Sequence, residues 1–266
     1  MARTRIKEQI RKLLPRRVRA HRVLGGALKG TRISTSWHDY PGAILGTTEK
    51  PLLDWFADNV QPGETWLDIG AHYGYTAIAL SRLVGSSGRV FAFEPVLPTA
   101  GCITRTRQLN GLEQMTVVPL GLNRCPNVEA QDLPTVRGMA DSTIGAGAWS
   151  ERILTVALDS IWPSLSGADA RIHGIKIDVQ GMEFDVLHGM REALQRWSPK
   201  LVVEFHRGVD RGEILQLLHD CGYETECHAI DSASPPGVFA DDMSYVFQAA
   251  SVTCASSYTA SFTGRS

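Results

Sequence analysis

TWLDIGAHYGYTAIALSRLVG, residues 65–85, carries the clearest folding signal in this chain. The pattern predicts a buried strand that ends at Asp68, a tight turn framed by Gly70 and Gly74, and a helix that ends at Gly85. Glycines at such a turn let a ligand approach the backbone, and the first turn of the helix offers free N–H groups. Ligands of open α/β sheets bind at the carboxyl ends of the strands. The stretch therefore predicts a ligand site at this turn.

Short apolar strands and helical patterns alternate along the chain around this stretch. Strands are predicted at 65–69, 90–94, 115–120, 172–178, 200–205, 224–230 and 243–248, and helices at 51–60, 75–84, 98–110, 183–197 and 211–221. Buried strands separated by helices are typical of a parallel sheet covered on both faces. The last two strands lack a clear helix between them, so we expect antiparallel pairing at one edge. The chain is predicted to form one doubly wound α/β domain.

Composition divides the chain into three predicted segments. Residues 1–50 are a basic arm and an irregular lead-in, residues 51–250 form the α/β domain, and residues 251–266 are a disordered tail rich in Ser and Thr. Residues 123–150 lack clear periodicity and are predicted to form a loop over the ligand site.

The charge of the chain is distributed unevenly. Residues 1–22 hold nine Arg or Lys and one Glu, a local charge of +8, so the whole-chain charge of −1 leaves −9 on the rest. An acidic body argues against a nucleic-acid substrate, because phosphate contacts need a basic surface. The arm itself has two main interpretations: a short helix docked on the domain, or weak contact with an anionic membrane surface. An Arg-rich transit segment is a third.

The cellular setting is predicted from features that the chain lacks. No apolar run reaches the roughly 18 residues of a membrane-spanning helix, and the start of the chain lacks the apolar core of a secretory signal. The five cysteines are irregularly spaced and indicate neither a disulfide framework nor a paired zinc site. We therefore expect a cytoplasmic protein. The sequence does not indicate its oligomeric state.

Two acids at strand ends indicate the kind of cofactor. A dinucleotide site requires G-x-G-x-x-G, whereas this turn reads D-x-G-x-x-x-G and begins with Asp68. A carboxylate there suits a ligand with an ammonium group better than one with two phosphates. Glu94 ends the next strand, in RVFAFEP, and an acid at that position typically binds two ribose hydroxyls. Together these residues predict an adenosine-containing cofactor.

Three further side chains are predicted to lie at the carboxyl edge of neighbouring strands. Asp178 follows the strand in IHGIKIDVQGMEFDVLHGM, and Glu204 and His206 end the strand in PKLVVEFH. His206 or Asp178 is the candidate general base, and Asp178 with Glu204 is a candidate site for a divalent cation. Lys176 and Glu204 have a second interpretation, as a structural ion pair.

The ordered motifs LDIGAHYGYTAIAL, GRVFAFEP, TVALDSI, IKIDVQGMEFDVLHGM and PKLVVEFH resemble the FkbM family of S-adenosylmethionine-dependent methyltransferases. The resemblance implies a Rossmann-like, seven-stranded, mostly parallel sheet of the class I methyltransferase fold. It also implies methyl transfer to a hydroxyl of a sugar, glycan or polyketide-type molecule. By position, Asp68, Gly70, His72 and Gly74 would form the cofactor turn, and Glu94 would hold the ribose. Asp178 would lie at the reacting end.

Two positions depart from the family pattern, and they keep alternatives open. His72 replaces a usual Asn, and Gln180 replaces a usual Glu, which removes a carboxylate from the predicted site. A catalytically silent protein that keeps the cofactor fold is therefore the main alternative. An NAD(P)-dependent oxidoreductase is the other, and the missing G-x-G-x-x-G argues against it. The predicted acceptor-facing segments are 31–50, 123–150 and 231–242, and the aromatics that could stack on a sugar are Trp37, Tyr40 and Trp149.

Overall fold

The computed structural model describes residues 13–136, 139–140, 150–167, 169–226, 228–230 and 239–250. Its strands are β1 Arg19–Arg22, β2 Arg32–Thr35, β3 Thr65–Ile69, β4 Arg89–Phe93, β5 Met115–Val118, β6 Gly121–Leu122, β7 Glu129–Val136, β8 Met139–Ala140, β9 Ser150–Val156, β10 Gly174–Ile177, β11 Lys200–Phe205, β12 His228–Ala229 and β13 Met243–Phe247. Its helices are α1 Pro41–Leu45, α2 Lys50–Asn59, α3 Tyr75–Val84, α4 Leu97–Asn110, α5 Leu158–Ser166, α6 Glu183–His188, α7 Arg191–Trp197 and α8 Arg211–Asp220.

The central sheet has seven strands in the order β12-β13-β11-β10-β3-β4-β5. The five strands from β11 to β5 are parallel, and β13 runs antiparallel to both β11 and β12. This confirms the predicted doubly wound, mostly parallel α/β sheet with antiparallel pairing at one edge. The carboxyl ends of the five parallel strands meet along one side of the sheet.

Each face of the sheet is covered by an apolar layer, which explains why its strands are apolar runs. Successive side chains of β3 alternate between the two faces: Trp66 belongs to one layer, and Leu67 and Ile69 belong to the other. The Trp66 layer includes Phe56 of α2, Ile78 of α3 and Ile103 of α4. The opposite layer includes Trp162 of α5, Leu187 of α6, Leu194 of α7 and Leu218 of α8.

The helix predicted over 183–197 is two helices, α6 and α7, separated at Gly189 and Met190. A Cβ on Gly189 would overlap the carbonyl oxygen of Asn123, so the chain approaches its neighbour too closely there for a side chain. The carbonyl of Gly189 instead accepts a hydrogen bond from the backbone N–H of Asp159 (3.1 Å). The carbonyl thus bonds to the first turn of α5 and not to a further turn of its own helix.

Residues 123–150 contain ordered strand where a loop was predicted. β7 pairs antiparallel with β9 and β8, and β9 pairs parallel with β6, so these strands form a four-stranded sheet beside the main one. Pro134 lies inside β7, which weakens the strand signal in the sequence. Residues 141–149 lie outside the described residues. The predicted strand at 224–230 is also shorter, because β12 spans only His228–Ala229.

The predicted lead-in also contains regular structure. β1 and β2 form an antiparallel ribbon that packs on α4. The N–H of Ser34 donates to Thr106 Oγ1, and that of Arg32 donates to Asn110 Oδ1, each at 2.9 Å. Residues 1–12 of the basic arm and the predicted tail lie outside the described residues. Within the described part of the chain, no helix is both long enough and apolar enough to span a membrane.

Candidate active site

A cavity opens at the carboxyl ends of the parallel strands, and the strand order arranges its lining residues. Leu120 and Leu122 follow β5, Glu94 follows β4, Gly70 follows β3, and Asp178 follows β10. The lining continues to Glu204 of β11 and includes Tyr40 and Glu49 from the segment before α2. Predicted site residues from four strands therefore meet at one cavity.

The turn between β3 and α3 brings the chain backbone to the cavity wall. Gly70 has φ 77°, and a Cβ there would overlap the carbonyl oxygen of Asp178 on the neighbouring strand. Only glycine satisfies both constraints. Gly74 has φ 83° and caps α3, and a Cβ there would lie 3.1 Å from the Ile103 side chain. Gly70 lines the cavity, whereas Gly74 sets the position of the helix.

Glu94 is held at the cavity by two backbone hydrogen bonds. Its Oε2 accepts from the N–H of His72 (2.9 Å) and its Oε1 accepts from the N–H of Val96 (3.0 Å). His72 itself lines the cavity and has a left-handed backbone, φ 50°. Burial raises the pKa of Glu94 to about 8 against the opposing effect of these bonds. Each oxygen retains a second lone pair, which is what two adjacent hydroxyl donors require.

Asp68 does not line the cavity, unlike the other predicted cofactor-site acid. Its side chain is fully buried, its Oδ2 accepts from Thr76 Oγ1 (2.6 Å), and its Oδ1 lies 3.3 Å from Lys176 Nζ. Lys176 Nζ is also 3.4 Å from Asp178 Oδ2. Burial opposes the charge on Lys176, but Asp178 and Asp68 together raise its pKa, so it is a buried cation. Its ion pairs are with these two carboxylates, and not with Glu204 as one interpretation predicted.

Asp178, Glu204 and His206 come together as predicted. His206 Nε2 lies 3.5 Å from Asp178 Oδ1 and 3.6 Å from Glu204 Oε1. Asp178 and Glu204 line the cavity, and His206 is buried directly behind them.

Glu183 is a site residue that the sequence analysis missed. Its carboxylate is fully buried at the first turn of α6, where Oε1 is 2.7 Å from His206 Nδ1 and accepts from the N–H of Gly181 (3.0 Å). A carboxylate on one ring nitrogen holds the imidazole in place and directs the other nitrogen outward. The available signal was spacing, since Glu183 lies four residues before the buried Leu187 and so shares its core-facing side.

Gln180 places an amide at the position where the sequence resemblance implied a carboxylate. Its backbone is left-handed (φ 56°), its Nε2 donates to Asp178 Oδ1 (3.1 Å), and the same nitrogen is 2.8 Å from His206 Nε2. With the Nδ1 proton of His206 donated to Glu183, Nε2 is an acceptor for this amide. Gln180 therefore connects Asp178 and His206.

Asp178, Glu204 and His206 differ in basicity. Burial would raise the pKa of Asp178, but Lys176 and His206 lower it, so this carboxylate is a weak base. Burial and the Asp178 charge raise the pKa of Glu204 to about 7. Burial would lower the pKa of His206, but its bond to Glu183 and the nearby carboxylates raise it. His206 and Glu204 are thus the stronger proton acceptors.

Asp178, Glu204 and His206 are residue types that bind divalent cations, but the groups around Asp178 do not favour a cation. One donor atom from each of Asp178, Glu204 and His206 lies within 4.8 Å of the others. Two carboxylates and an imidazole are ordinary metal ligands. However, Lys176 Nζ and the Gln180 amide already face Asp178 at 3.4 and 3.1 Å. The ammonium group and the amide therefore already balance the negative charge of Asp178, and the residues present do not favour a metal.

The charge of the cavity matches a cationic ligand. Among its described lining residues there are four carboxylates and no Lys or Arg. One wall is apolar and includes Val96, Leu122, Leu133 of β7 and Ile153 of β9. A flat aromatic base suits such a wall, and a positive group suits the carboxylates.

The predicted acceptor-facing segments contribute unequally to the cavity. Tyr40 lines it and packs on the His72 ring, with 4.9 Å between ring centroids. Trp37 packs on His21 instead, with centroids 6.0 Å apart. Trp149 and residues 231–238 lie outside the described residues.

Comparisons with known proteins identify relatives of this chain. A family model described as the methyltransferase FkbM domain matches residues 68–225, more than half of the chain. The hexuronic acid methyltransferase AglP of Haloferax volcanii is 27% identical over 181 residues, which are 67% of this chain and 71% of that protein. Methyltransferase FkbM from Methylobacillus flagellatus is similar in structure, with TM-score 0.47 and 19% identity over 76% of this chain. The match covers 51% of that structure, so this chain spans about half its length.

A second solved structure is similar over a longer stretch. Aeropyrum pernix fibrillarin, solved with natively bound S-adenosyl-L-methionine, has TM-score 0.48 and 14% identity, and the match covers 87% of each chain. The assignment rests on the family model, which spans the glycine turn and the Asp178–His206 region. This protein belongs to the FkbM methyltransferase family.

Proposed function

We propose that this methyltransferase uses S-adenosylmethionine to methylate a hydroxyl oxygen of a sugar. The observation that carries the proposal is the buried Glu183–His206 pair, which directs His206 Nε2 to the carboxylates at the reacting end of the cavity. Glu94, at the carboxyl end of β4, has the two hydrogen-bonded oxygens that support binding of a ribose. The named substrate class of the relative AglP supports a sugar acceptor.

The residues that would hold the cofactor are those of the glycine turn and the strand beside it. Gly70 would allow its close approach to the backbone, Glu94 would accept from the ribose hydroxyls, and Leu122 with Leu133 would cover the adenine. When bound, the cofactor supplies a methyl group on a positively charged sulfur. Because that group is already a good electrophile, the protein mainly aligns the acceptor and removes its proton.

His206 is the group best placed to take the acceptor's proton. Glu183 keeps its Nδ1 protonated, so Nε2 is the acceptor, and the carboxylates around it stabilise the imidazolium that forms. Asp178, paired with Lys176, is too weak a base for this step, and we assign it to orienting the acceptor hydroxyl. Gln180, which is 2.8 Å from Nε2, holds the ring until an acceptor displaces its amide.

The charge of the cavity favours a hydroxyl over a carboxylate as the acceptor. A hexuronic acid offers both kinds of oxygen, and methylation of its carboxylate would need no general base. An anionic acceptor would be repelled by Asp178, and by Glu204 once it ionises above its pKa of about 7, since the described lining offers no Lys or Arg to bind it. A neutral hydroxyl approaches without this penalty.

Transfer of labelled methyl groups to a panel of neutral sugars and hexuronic acids tests this function. We expect a labelled product that survives mild alkali, because a methyl ether resists the hydrolysis that destroys a methyl ester. An alkali-labile product would show ester formation instead. Cofactor binding with no transfer to any sugar would favour the catalytically silent alternative.

The affinity for S-adenosylhomocysteine is expected to rise with pH between 6 and 8. The pKa of Glu94 is raised to about 8, so below that pH the ligand-free carboxyl is mostly protonated and accepts poorly from the ribose. The rise should approach tenfold per pH unit well below 8 and level off above it. Isothermal titration at constant ionic strength measures this profile.

Glu94→Gln is the control for this profile. It should bind more weakly and lose the pH dependence below 8. Because the raised pKa in the folded state means that ionising Glu94 costs stability above its unfolded pKa, the free energy of unfolding of wild type should fall relative to that of the variant as the pH rises from 5 to 8. An unchanged slope in Glu94→Gln would assign the titration to another group.

A further inference from the structure

Glu49 is a cavity carboxylate that the proposed mechanism does not use. It precedes α2 and lines the cavity with Gly70 and Asp178. Its backbone is left-handed, with φ 56° and ψ 22°. Glutamate is uncommon in that conformation, which is retained mainly where a site requires it.

The side chain of Glu49 does not serve its own helix. As the N-cap residue of α2, its carbonyl accepts from the N–H of Leu53 (2.9 Å), but its carboxylate makes no capping hydrogen bond. N-cap side chains are usually short and bond to the first turn of the helix. The hydrogen bond that Glu49 does accept, from Thr48 Oγ1, is long at 3.4 Å. Its carboxylate is therefore available to a ligand in the cavity.

The cavity lining groups Glu49 with Tyr40, Gly70 and Asp178. Together with burial, the charge of Glu49 raises the pKa of Tyr75, the first residue of α3, and that of Tyr40. Burial raises the pKa of Glu49 itself, while nearby Lys176 lowers it and Asp178 raises it. In the sheet, β3 lies between β10 and β4, and Glu94 follows β4. Glu49 thus lies across the glycine turn from the ribose-binding end.

The part of the cofactor expected there is its amino-acid end, which carries an ammonium group. Asp68, the acid predicted for that group, is fully buried and already engaged by Thr76 at 2.6 Å and Lys176 at 3.3 Å. We infer that Glu49, rather than Asp68, accepts the hydrogen bonds of the cofactor ammonium. This inference rests on the proposed use of S-adenosylmethionine. It assigns Asp68 to holding Lys176 beneath the turn.

A comparison of two ligands isolates this contact. 5′-Methylthioadenosine keeps the adenosine and thioether of S-adenosylhomocysteine but lacks its amino-acid end. In Glu49→Gln, titration should show about 10- to 100-fold weaker binding of S-adenosylhomocysteine, as expected for loss of a charge-assisted hydrogen bond. Binding of methylthioadenosine should stay within about twofold of wild type. Retained binding of the smaller ligand also reports that the variant's site is folded.

Glu113→Gln is the matched control, because Glu113 is an exposed acid away from the cavity lining. It should leave both affinities unchanged, which excludes an effect of net charge. Equal weakening of both ligands by Glu49→Gln, or no weakening, would overturn the assignment. So would a selective loss of S-adenosylhomocysteine in Asp68→Asn but not in Glu49→Gln. Wild-type protein that binds neither ligand would instead refute the proposed cofactor.

Discussion

His206→Ala is expected to lower kcat by about 100- to 10,000-fold, the range for loss of a general base. The Kd for S-adenosylhomocysteine should stay within about threefold of wild type, since His206 lies behind the reacting end and not among the residues that would contact the cofactor. The substitution also leaves Glu183 as a buried carboxylate without the ring it supports at 2.7 Å. Initial rates with a labelled methyl donor and isothermal titration measure the two quantities separately.

Two controls make this result specific. His188→Ala removes an exposed histidine from the end of α6 and should retain near wild-type turnover. Glu183→Gln keeps the volume of the support but weakens its bond to His206, so we expect an intermediate kcat. Equal losses of kcat and cofactor affinity in His206→Ala would contradict a general-base role. Wild-type activity that is lost with a chelator and restored by Mn²⁺ would transfer the role to a metal held by the same side chains.

Gly70→Ala is expected to reduce the free energy of unfolding by about 3 kcal/mol or more. The residue has φ 77°, and the new methyl group would overlap the carbonyl oxygen of Asp178. Relief of the overlap must separate β3 from β10 at the point where the cavity begins. Urea denaturation followed by circular dichroism gives the change, and cofactor binding should be lost with it.

Two other glycines serve as controls that distinguish the cost of a left-handed backbone from the cost of a steric overlap. Gly111 has φ 62° with nothing within 4 Å of a Cβ, so Gly111→Ala should cost only about 1–2 kcal/mol for the left-handed backbone. Gly101 lies inside α4 with open space around it, and Gly101→Ala should stabilise the protein by about 0.5–1 kcal/mol. A Gly70→Ala cost no larger than that of Gly111→Ala would show that the two strands can move apart freely.

The main sheet could be predicted because its strands are buried on both faces and are therefore apolar runs. The four-stranded sheet could not, because its strands are partly exposed and β7 contains Pro134. The break between α6 and α7 was also hidden, since it comes from the backbone of Asn123 meeting Gly189. Contacts between segments distant in sequence leave no periodic signal.

The clustering of Asp178, Glu204 and His206 was predictable, because the carboxyl ends of adjacent parallel strands must meet. The placement of Asp68 was not predictable from spacing. It shares the face of β3 that carries Trp66, and α3 covers that face with Thr76. Glu49 and Glu183 were missed because acids near helix starts are common without a ligand.

The four-stranded sheet has a consequence for how enzymes of this type could diversify. It supplies Leu133 and Ile153 to the cavity wall, yet every group assigned to the reaction lies at the carboxyl ends of the far strands β10 and β11 or on α6. Exchange of residues 129–156, which contain β7 and β9, between homologues would therefore reshape the wall while the residues assigned to the reaction stay unchanged. This separation makes residues 129–156 the natural region to recombine when an enzyme with altered selectivity is to be evolved in the laboratory.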